Sequence, residues 1–217
     1  FFDLPTNGTP FTSLAVAGNE VSLYGGAGIT AKASLFNGNT NITKIEDDNN
    51  TLVSLSTFSI LGCTALTTLD IAWVTTALDQ SVASCTALTT LNAPLLATMG
   101  NSVFNGCSSM TAFTLNSLTS AGNGGFANCT SATTFNLPNL TTLGNNFFNG
   151  CSSITTVDLS SCTNLGGTTG DDSVFATIFG QTVTITVPIA LQTCYGGNPD
   201  KDLVYLAANN TATINYI

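Results

Sequence analysis

Charged side chains are scarce in this chain of 217 residues. Histidine and arginine are absent, three lysines are the only cations, and charged residues make up 7% of a sequence with net charge −9. Phosphate backbones are bound by clustered Lys and Arg, so the composition excludes nucleic acid as a partner. The same scarcity argues against an anionic membrane surface, and no apolar run reaches the length of about 18 residues that spans a bilayer.

The lack of histidine also removes the usual general base of a catalytic triad. The sequence has no glycine-rich phosphate loop, and the pattern brings no carboxylate pair into a common pocket. We therefore predict a protein that is not an enzyme and that holds no cofactor or metal ion.

Ser, Thr, Asn and Gly fill most of the remaining polar positions. This composition is typical of an exposed extracellular surface, so we expect an extracellular, cell-surface or virion location. The chain begins at Phe1 without a basic segment followed by an apolar core, and we expect any secretion signal to lie outside it. Sequons for N-glycosylation occur six times, which chance explains in a chain so rich in Asn, Ser and Thr.

Five cysteines recur at one fixed interval along the chain: Cys63, Cys85, Cys107, Cys129 and Cys151. Repeats of about 20 to 50 residues are typical of solenoids, in which each unit buries its apolar face by stacking on its neighbours. The interval therefore predicts a rod, whose function must lie on its faces and ends.

Apolar residues follow each cysteine at fixed offsets. In the coil that begins at Cys129 these positions hold Ala132, Phe135, Leu137, Leu140 and Leu143, and Phe148 closes the coil. The spacing of two between the second and third positions is the alternation of a strand with one buried face. Glycine follows the last position at Gly100, Gly122, Gly144 and Gly166, where we expect positive φ at a tight corner.

The same pattern extends in both directions. Asn39 takes the cysteine position in a slightly longer first coil, and the pattern continues to Leu165 before Val174 and Phe175 restore the closing position. We predict about six coils over 36–175, each of roughly 22 to 24 residues and mainly β with short turns or 3-10 segments. An N-terminal cap or docking arm over 1–35 precedes them.

Residues 176–217 predict a C-terminal cap that covers the apolar end of the rod. Residues 182–187 alternate as a strand, and Asn198-Pro199-Asp200 predicts a helix start with proline in the first turn. Residues 211–217 predict a second strand, which gives a β-α-β-like unit.

The pattern F-x-x-C-x-x-L-x-x-L-x-L-P-x-L-x-x-L-G, clearest over 126–144, resembles the BspA-like leucine-rich repeats of bacterial surface proteins and phage fibres. The resemblance extends over most of the chain and implies a curved, right-handed solenoid that serves adhesion, host attachment or surface recognition, not catalysis. The position after the strand, Asn or Cys in the commoner leucine-rich pattern, is apolar here except at Cys162. This departure puts the usual asparagine ladder in doubt.

The stacked cysteines allow two interpretations. Coils about 4.8 Å apart bring the cysteines within disulfide range, so they could form a disulfide ladder or a metal site. Five parallel side chains cannot pair evenly and no histidine assists, so we favour buried, inert thiols packed as small hydrophobes. A bridge from Cys162 to Cys194 in the cap stays open.

Two rows of polar side chains point outward from the predicted strands. We predict a binding face from nine of them: Thr68, Asp70, Thr90, Asn92, Thr114, Thr134, Asn136, Thr156 and Asp158. Such rows could bind a glycan or a repeating surface, and threonine rows can even order ice. The simpler alternative is that threonine favours strands and pairs across them without any ligand.

Acidic residues cluster at 46–48, at 171–172 and at Asp200 with Asp202. Their oxygens could bind Ca²⁺, but none has the spacing of a calcium loop. We predict solvated loop charge.

Apolar residues mark both ends of the chain. Phe1, Phe2, Phe11, Tyr216 and Ile217 are our predicted assembly contacts. The first hypothesis is a non-catalytic structural or adhesive subunit of a filament or virion fibre, which associates with copies of itself. The alternative is a monomeric cell-surface adhesin that binds a glycan or protein through the strand face.

Overall fold

A computed structural model describes residues 11–25, 28–47, 52–165, 174–175, 177–178, 180–192 and 200–217. Within these ranges the chain winds as stacked coils, and most coils contribute one strand of two or more residues to each of two faces. The strands in chain order are β1 (Phe11–Ala17), β2 (Glu20–Gly25), β3 (Ile29–Ala31), β4 (Lys44–Glu46), β5 (Leu52–Leu55), β6 (Thr68–Asp70), β7 (Thr76–Ala77), β8 (Thr90–Asn92), β9 (Thr98–Met99), β10 (Ala112–Thr114), β11 (Ser120–Ala121), β12 (Thr134–Asn136), β13 (Thr142–Leu143), β14 (Thr156–Asp158), β15 (Asn164–Leu165), β16 (Thr182–Val187) and β17 (Thr211–Tyr216). A 3-10 turn (Ile189–Gln192) and a helix, α1 (Lys201–Asn209), separate the last two strands.

The strands form three sheets on two faces of the rod. The first face, called the strand face below, carries the sheet β1-β2-β4-β6-β8 and the sheet β10-β12-β14-β16-β17. The second face carries one unbroken sheet, β15-β13-β11-β9-β7-β5-β3. Among the described strands, all pairings are parallel except that of β1 with β2. The predicted repeat solenoid of about six coils, with a cap that extends its sheet, is confirmed.

The repeat keeps its register from coil to coil. Thr68 pairs with Thr90, and Thr134 pairs with Thr156, so each strand meets the equivalent strand of the next coil without a shift. Leu69 and Phe135, which follow Thr68 and Thr134 and which we predicted to face inward, are buried at 0% exposure. The strands are short because each coil must turn before its next face begins.

The interior changes character along the rod. The closing residue, three positions before each row cysteine, is Ile60 and then Val82, and it is phenylalanine from Phe104 onwards. The inward residue of the strand changes from Leu91 to Phe113 at the same place. The later rings stack on one another. Ring centroids lie 5.8 Å apart for Phe104 and Phe126, 6.2 Å for Phe126 and Phe148, and 5.4 Å for Phe148 and Phe175.

The corner glycines have a different role from the one we predicted. Gly100, Gly122 and Gly144 do not adopt positive φ. A Cβ on Gly122 would lie 2.8 Å from the carbonyl carbon of Gly100 and 2.9 Å from the backbone nitrogen of Asn101. Successive coils approach too closely here for any side chain, so lack of space selects glycine. Gly166 lies outside the described residues.

Left-handed backbone occurs elsewhere in each coil. The residue before every cysteine of the row has positive φ, and so does a second position four residues earlier. The first set is Gly62, Ser84, Gly106, Asn128 and Gly150; the second is Phe58, Gln80, Ser102, Gly124 and Asn146. These positions, and not the corner glycines, turn the chain sharply into the cysteine position.

The helix of the cap begins two residues later than predicted. Asp200 is the N-cap, and its side chain accepts a hydrogen bond from the backbone nitrogen of Asp202 at 2.9 Å. The prediction that Asn198 caps the helix is therefore wrong, because Asp200 has non-helical backbone angles and supplies the capping acceptor itself. Helix α1 buries Leu203 and Leu206.

The prediction of solvated charge is wrong for three carboxylates. Asp200 and Asp202 are buried, and Asp202 accepts a hydrogen bond from the backbone nitrogen of Val174 at 2.8 Å. Asp47 is also buried and accepts from Leu52 at 2.8 Å. These side chains bind backbone N–H groups where the regular coil is interrupted, which explains why they turn inward. Residues 48, 171 and 172 lie outside the described residues.

Replacing Gly122 with alanine should destabilise the rod by about 1–3 kcal/mol, because the new methyl group overlaps the backbone of the preceding coil. The midpoint of urea unfolding, followed by circular dichroism, measures this loss. Gly106→Asn is the matched control: asparagine occupies the equivalent left-handed position at Asn128, and a Cβ on Gly106 meets nothing closer than 3.6 Å. Equal losses in the two variants would contradict the steric explanation.

Candidate functional site

The cysteine row lies in the interior and forms a repeated hydrogen bond. Each thiol donates at 3.1–3.4 Å to a backbone carbonyl of a closing residue, the one three positions before the previous member of the row, or before Asn39 in the case of Cys63. The pairs are Cys63 with Phe36, Cys85 with Ile60, Cys107 with Val82, Cys129 with Phe104 and Cys151 with Phe126. A small side chain that packs as a hydrophobe and donates weakly fits this position, which explains the recurrence of cysteine.

Cys107, Cys151 and Cys162 hold their protons at neutral pH, whereas the side-chain hydrogen bond with Cys85 lowers the pKa of Cys63. Burial raises the pKa of Cys107 and Cys151 to about 12 and that of Cys162 to about 11. Because the thiolate is the nucleophile and metal ligand, such thiols react poorly at neutral pH. Six cysteines are buried and free, so the buried-thiol interpretation is confirmed and the disulfide ladder is wrong. Cys194 lies outside the described residues.

Acidic and thiol groups do not converge elsewhere. Within the described ranges, no group of three or more His, Cys, Asp or Glu side chains could hold a metal ion. Burial raises the pKa of the Asp200 carboxyl, while its hydrogen bonds to backbone N–H groups act in the opposite direction. This carboxyl caps α1 and faces the interior.

The structure places the predicted binding residues on the strand face, in two outward rows. One row runs through Thr68 and Thr90, and resumes through Ala112, Thr134 and Thr156. The other row runs through Asp70 and Asn92, and resumes through Thr114, Asn136 and Asp158. The cap extends both rows, with Thr184 and Thr213 in the first and Thr186 and Asn215 in the second.

Neighbouring members of the rows bind each other only in places. The Asn92 side chain donates to the Asp70 carboxylate at 3.0 Å, and Asn136 donates to the side chain of Asn116 at 3.2 Å. At the N-terminal end Lys44 pairs with Glu46 on the same strand at 2.7 Å. Most of the rows therefore present hydroxyl and amide groups without charge.

The strand face is divided between β8 and β10. These strands do not pair, although the second face is continuous at the same level through β9 and β11. A crevice of about 280 Å³ opens there, lined by residues 89–91 and 110–114. It lies where the strand position changes from Leu91 to Phe113.

Two features of the surface escaped sequence reasoning. The first is a ladder of Asp and Asn side chains along the second face. In it the backbone nitrogens of Asn101, Asn123 and Asn145 donate to the side chains of Asp79, Asn101 and Asn123 at 2.7–2.9 Å. The Gly-Asn pair that recurs at 100, 122 and 144 is the sequence pattern that could have predicted this ladder. The second is a pair of exposed apolar side chains: Trp73 is 47% exposed, and Leu95, in the same position of the next coil, is 41% exposed.

The predicted assembly contacts are described in part. Phe1, Phe2 and the side chain of Phe11 lie outside the described structure, although the backbone of Phe11 begins β1. Tyr216 ends β17 and is partly buried, whereas Ile217 is 64% exposed. Strands β1 and β17 are the outermost strands of their two sheets.

The fold and its row of inward cysteines define a leucine-rich repeat solenoid. The family model described as "BspA type Leucine rich repeat region" matches residues 29–96 and 79–193 with six copies. The chain belongs to this family, whose members are typically surface-associated or secreted, adhesion-related and non-enzymatic. Leucine-rich repeats generally mediate protein–protein interaction.

Two solved bacterial structures are similar in outline. The Treponema leucine-rich repeat protein titled "T. pallidum Leucine Rich Repeat protein (TpLRR)" is 15% identical, with a TM-score of 0.49 over 95% of this chain and 97% of that one. A leucine-rich repeat protein from Bacteroides ovatus is 11% identical, with a TM-score of 0.39 over 100% of this chain and 77% of that one. A search of curated proteins finds no match.

Helical segments are short in the described part of the chain. None of them has the length and apolar character that crossing a bilayer requires.

Alkaline pH should destabilise the rod through the cysteine row. The raised pKa values keep Cys107 and Cys151 of the row protonated up to about pH 12, and Cys162 beside it up to about pH 11, whereas unfolded thiols ionise near 9.0. Their contribution is therefore complete below pH 9 and is lost as the pH rises towards 12, at about 1.4 kcal/mol per pH unit for each thiol. Urea midpoints measured between pH 7 and 11 in reducing buffer test this slope.

Cys107→Ala isolates one member of the row. It should lower stability at pH 7 by about 1–2 kcal/mol through the lost packing and weaken the decline above pH 9. A decline as steep as that of the unsubstituted protein would show that Cys107 takes no part in it.

Proposed function

We propose that the protein is a non-catalytic extracellular interaction protein that joins copies of itself, end to end, in a surface assembly. The observation that carries the proposal is the open edge of β17. This strand pairs with β16 along six residues, and no described strand pairs with its opposite side. An exposed edge of this length is a template for a strand from another chain.

Hydrogen bonds show which backbone groups of β17 point away from the rod. The nitrogens of Thr211 and Ile217 donate inward, to the carbonyls of Gln181 and Val187. Because a strand alternates, the N–H groups of Ala212 and Ile214 point to the open side. The outward face of β17 carries Thr213 and Asn215, which are uncharged. No lysine or proline of β17 opposes pairing with another strand.

The other end of the rod offers a strand of similar length. Strand β1 has seven residues, pairs with β2, and is the outermost strand of its sheet. Because β1 runs opposite to the other strands, it would pair with β17 of a second copy in antiparallel fashion. Two different edges at opposite ends form a head-to-tail contact, which repeats as an open filament.

Ala212→Pro tests the open edge. It removes an outward N–H group and should abolish filaments in negative-stain electron microscopy, and leave single rods in sedimentation velocity. Proline is tolerated on an edge whose N–H faces away from the sheet, so the fold should survive.

Thr68→Val, in the middle of the rod, is the control and should assemble as the unsubstituted protein does. If the unsubstituted protein forms only dispersed single rods under near-native conditions, the assembly proposal is wrong. Filaments that persist in Ala212→Pro would place the contact away from β17.

A second candidate function is favoured by the strand face itself. Apart from Asp70 and Asp158, its rows present neutral hydroxyl and amide groups, a chemistry that suits a glycan or a protein surface without charge. On this alternative the protein is a monomeric adhesin, which agrees with the adhesion-related character of the family.

A glycan array tests the adhesin. Selective binding should fall at least about tenfold when Thr90, Asn92, Thr134 and Asn136 are replaced by alanine, because each change removes a hydrogen-bonding group. The matched control replaces the equivalent row of the second face, Thr76, Thr98, Ser120 and Thr142. Equal losses from both sets would point to general destabilisation and reject a specific face.

A further inference from the structure

The crevice between β8 and β10 leaves main-chain groups without the bonds that their counterparts make. In the preceding coil, the nitrogen of Thr89 donates to the Thr67 carbonyl at 3.0 Å; in the following coil, Thr133 donates to Thr111 at 2.8 Å. Within the described chain, the equivalent bond from Thr111 to the Thr89 carbonyl is not formed. Unbonded N–H and C=O groups are costly unless a solvent or ligand group bonds them.

The hydrogen bonds that threonine hydroxyls make between coils are interrupted at the same place. Thr89 Oγ1 donates to the Thr67 carbonyl at 3.2 Å and Thr133 Oγ1 to the Thr111 carbonyl at 3.2 Å. Thr111 Oγ1 makes no such bond across the crevice within the described residues. The hydroxyls of Thr90 and Thr114 stand beside it on the exposed face.

The crevice has an apolar floor. Leu91 is only partly buried, although its counterparts Leu69 and Phe113 are buried. Met110 and Phe113 complete the floor, and Ala112 stands where neighbouring coils have threonine. The missing side chain at Ala112 keeps the mouth of the crevice open. No charged residue lines it.

Both ends of the crevice are closed. Ser108 Oγ donates to the Thr86 carbonyl at 3.5 Å on one side, and Ser117 Oγ donates to the Pro94 carbonyl at 2.7 Å on the other. A long extended peptide that ran along the strands past Ser108 and Ser117 would have to break both contacts. A compact group that enters from the strand face would not, and about 280 Å³ is at the small end of ligand pockets.

These observations favour one class of ligand. A neutral sugar residue offers hydroxyls that both donate and accept, to match the unbonded main-chain groups and the threonines, and an apolar ring face to cover the exposed part of Leu91. We infer that the crevice binds a single neutral sugar residue, at the end of a glycan or within it. The inference rests on the second candidate function, that of the strand face, and is independent of end-to-end assembly.

Saturation-transfer NMR on the full chain, with a panel of neutral methyl hexosides and a methyl glucuronide as probes, tests the inference. At least one neutral hexoside should bind, and the glucuronide should bind more weakly because the site has no cation and the chain carries net charge −9. Ala112→Leu fills the mouth and should weaken binding at least about tenfold, equal to about 1.4 kcal/mol.

Thr142→Leu is the matched control, since it places the same side chain in an outward row of the second face, where the sheet is continuous. It should bind as the unsubstituted protein does. Thr90→Val, which removes one hydroxyl and keeps the shape, should weaken binding about threefold to tenfold, while Thr142→Val on the second face should not.

Three results would overturn the inference. The first is the absence of saturation transfer to every neutral hexoside. The second is equal weakening by Ala112→Leu and Thr142→Leu. The third is displacement of the sugars by an extended peptide that protects the backbone amides of 111–114 from exchange, which would show that a strand enters the crevice. Array binding that is lost in the strand-face variant but unaffected by Ala112→Leu would reject the crevice and leave the adhesin function standing.

Discussion

Backbone hydrogen bonding between successive coils is the constraint on which the rest of the structure depends. Each coil must bring equivalent residues into register with the previous coil, about 4.8 Å further along the rod. The number of residues in a coil is therefore constant wherever the hydrogen-bond ladder is regular. Close approach at Gly122, left-handed backbone before Cys129 and the thiol bond from Cys129 to Phe104 all serve this return. Where the length changes, buried carboxylates such as Asp47 and Asp202 bond the backbone instead.

The crevice shows how the two faces can differ within one rod. The second face keeps its ladder from β3 to β15, while the strand face is interrupted at a single level. That level is also where aliphatic side chains give way to stacked phenylalanines in the core. The outward surface therefore opens at the level where the packing of the interior changes.

Sequence periodicity could predict much of this fold, because a buried position that recurs once in every coil leaves a direct trace. The cysteine row, the strand positions and the inward leucines were predicted this way. The corner glycines could not be assigned correctly, since Gly122 looks the same whether it needs positive φ or lacks room for a side chain. The break beside Ala112 left almost no signal, because alanine in a threonine row is an ordinary substitution and the change from Leu91 to Phe113 keeps the position apolar. The start of α1 was misplaced because Asn198 and Asp200 are equally good caps by sequence alone.

Uniform coils also make the length of the rod adjustable. Because neighbouring coils share the register seen between Thr134 and Thr156, a whole coil can be gained or lost without altering the contacts at either terminus. The distance between β1 and β17 would then change in steps of about 4.8 Å. Duplication of the gene segment that encodes one coil would therefore lengthen the rod by one step. It would change the distance between the partners bound at β1 and β17 and leave the two terminal contacts unchanged.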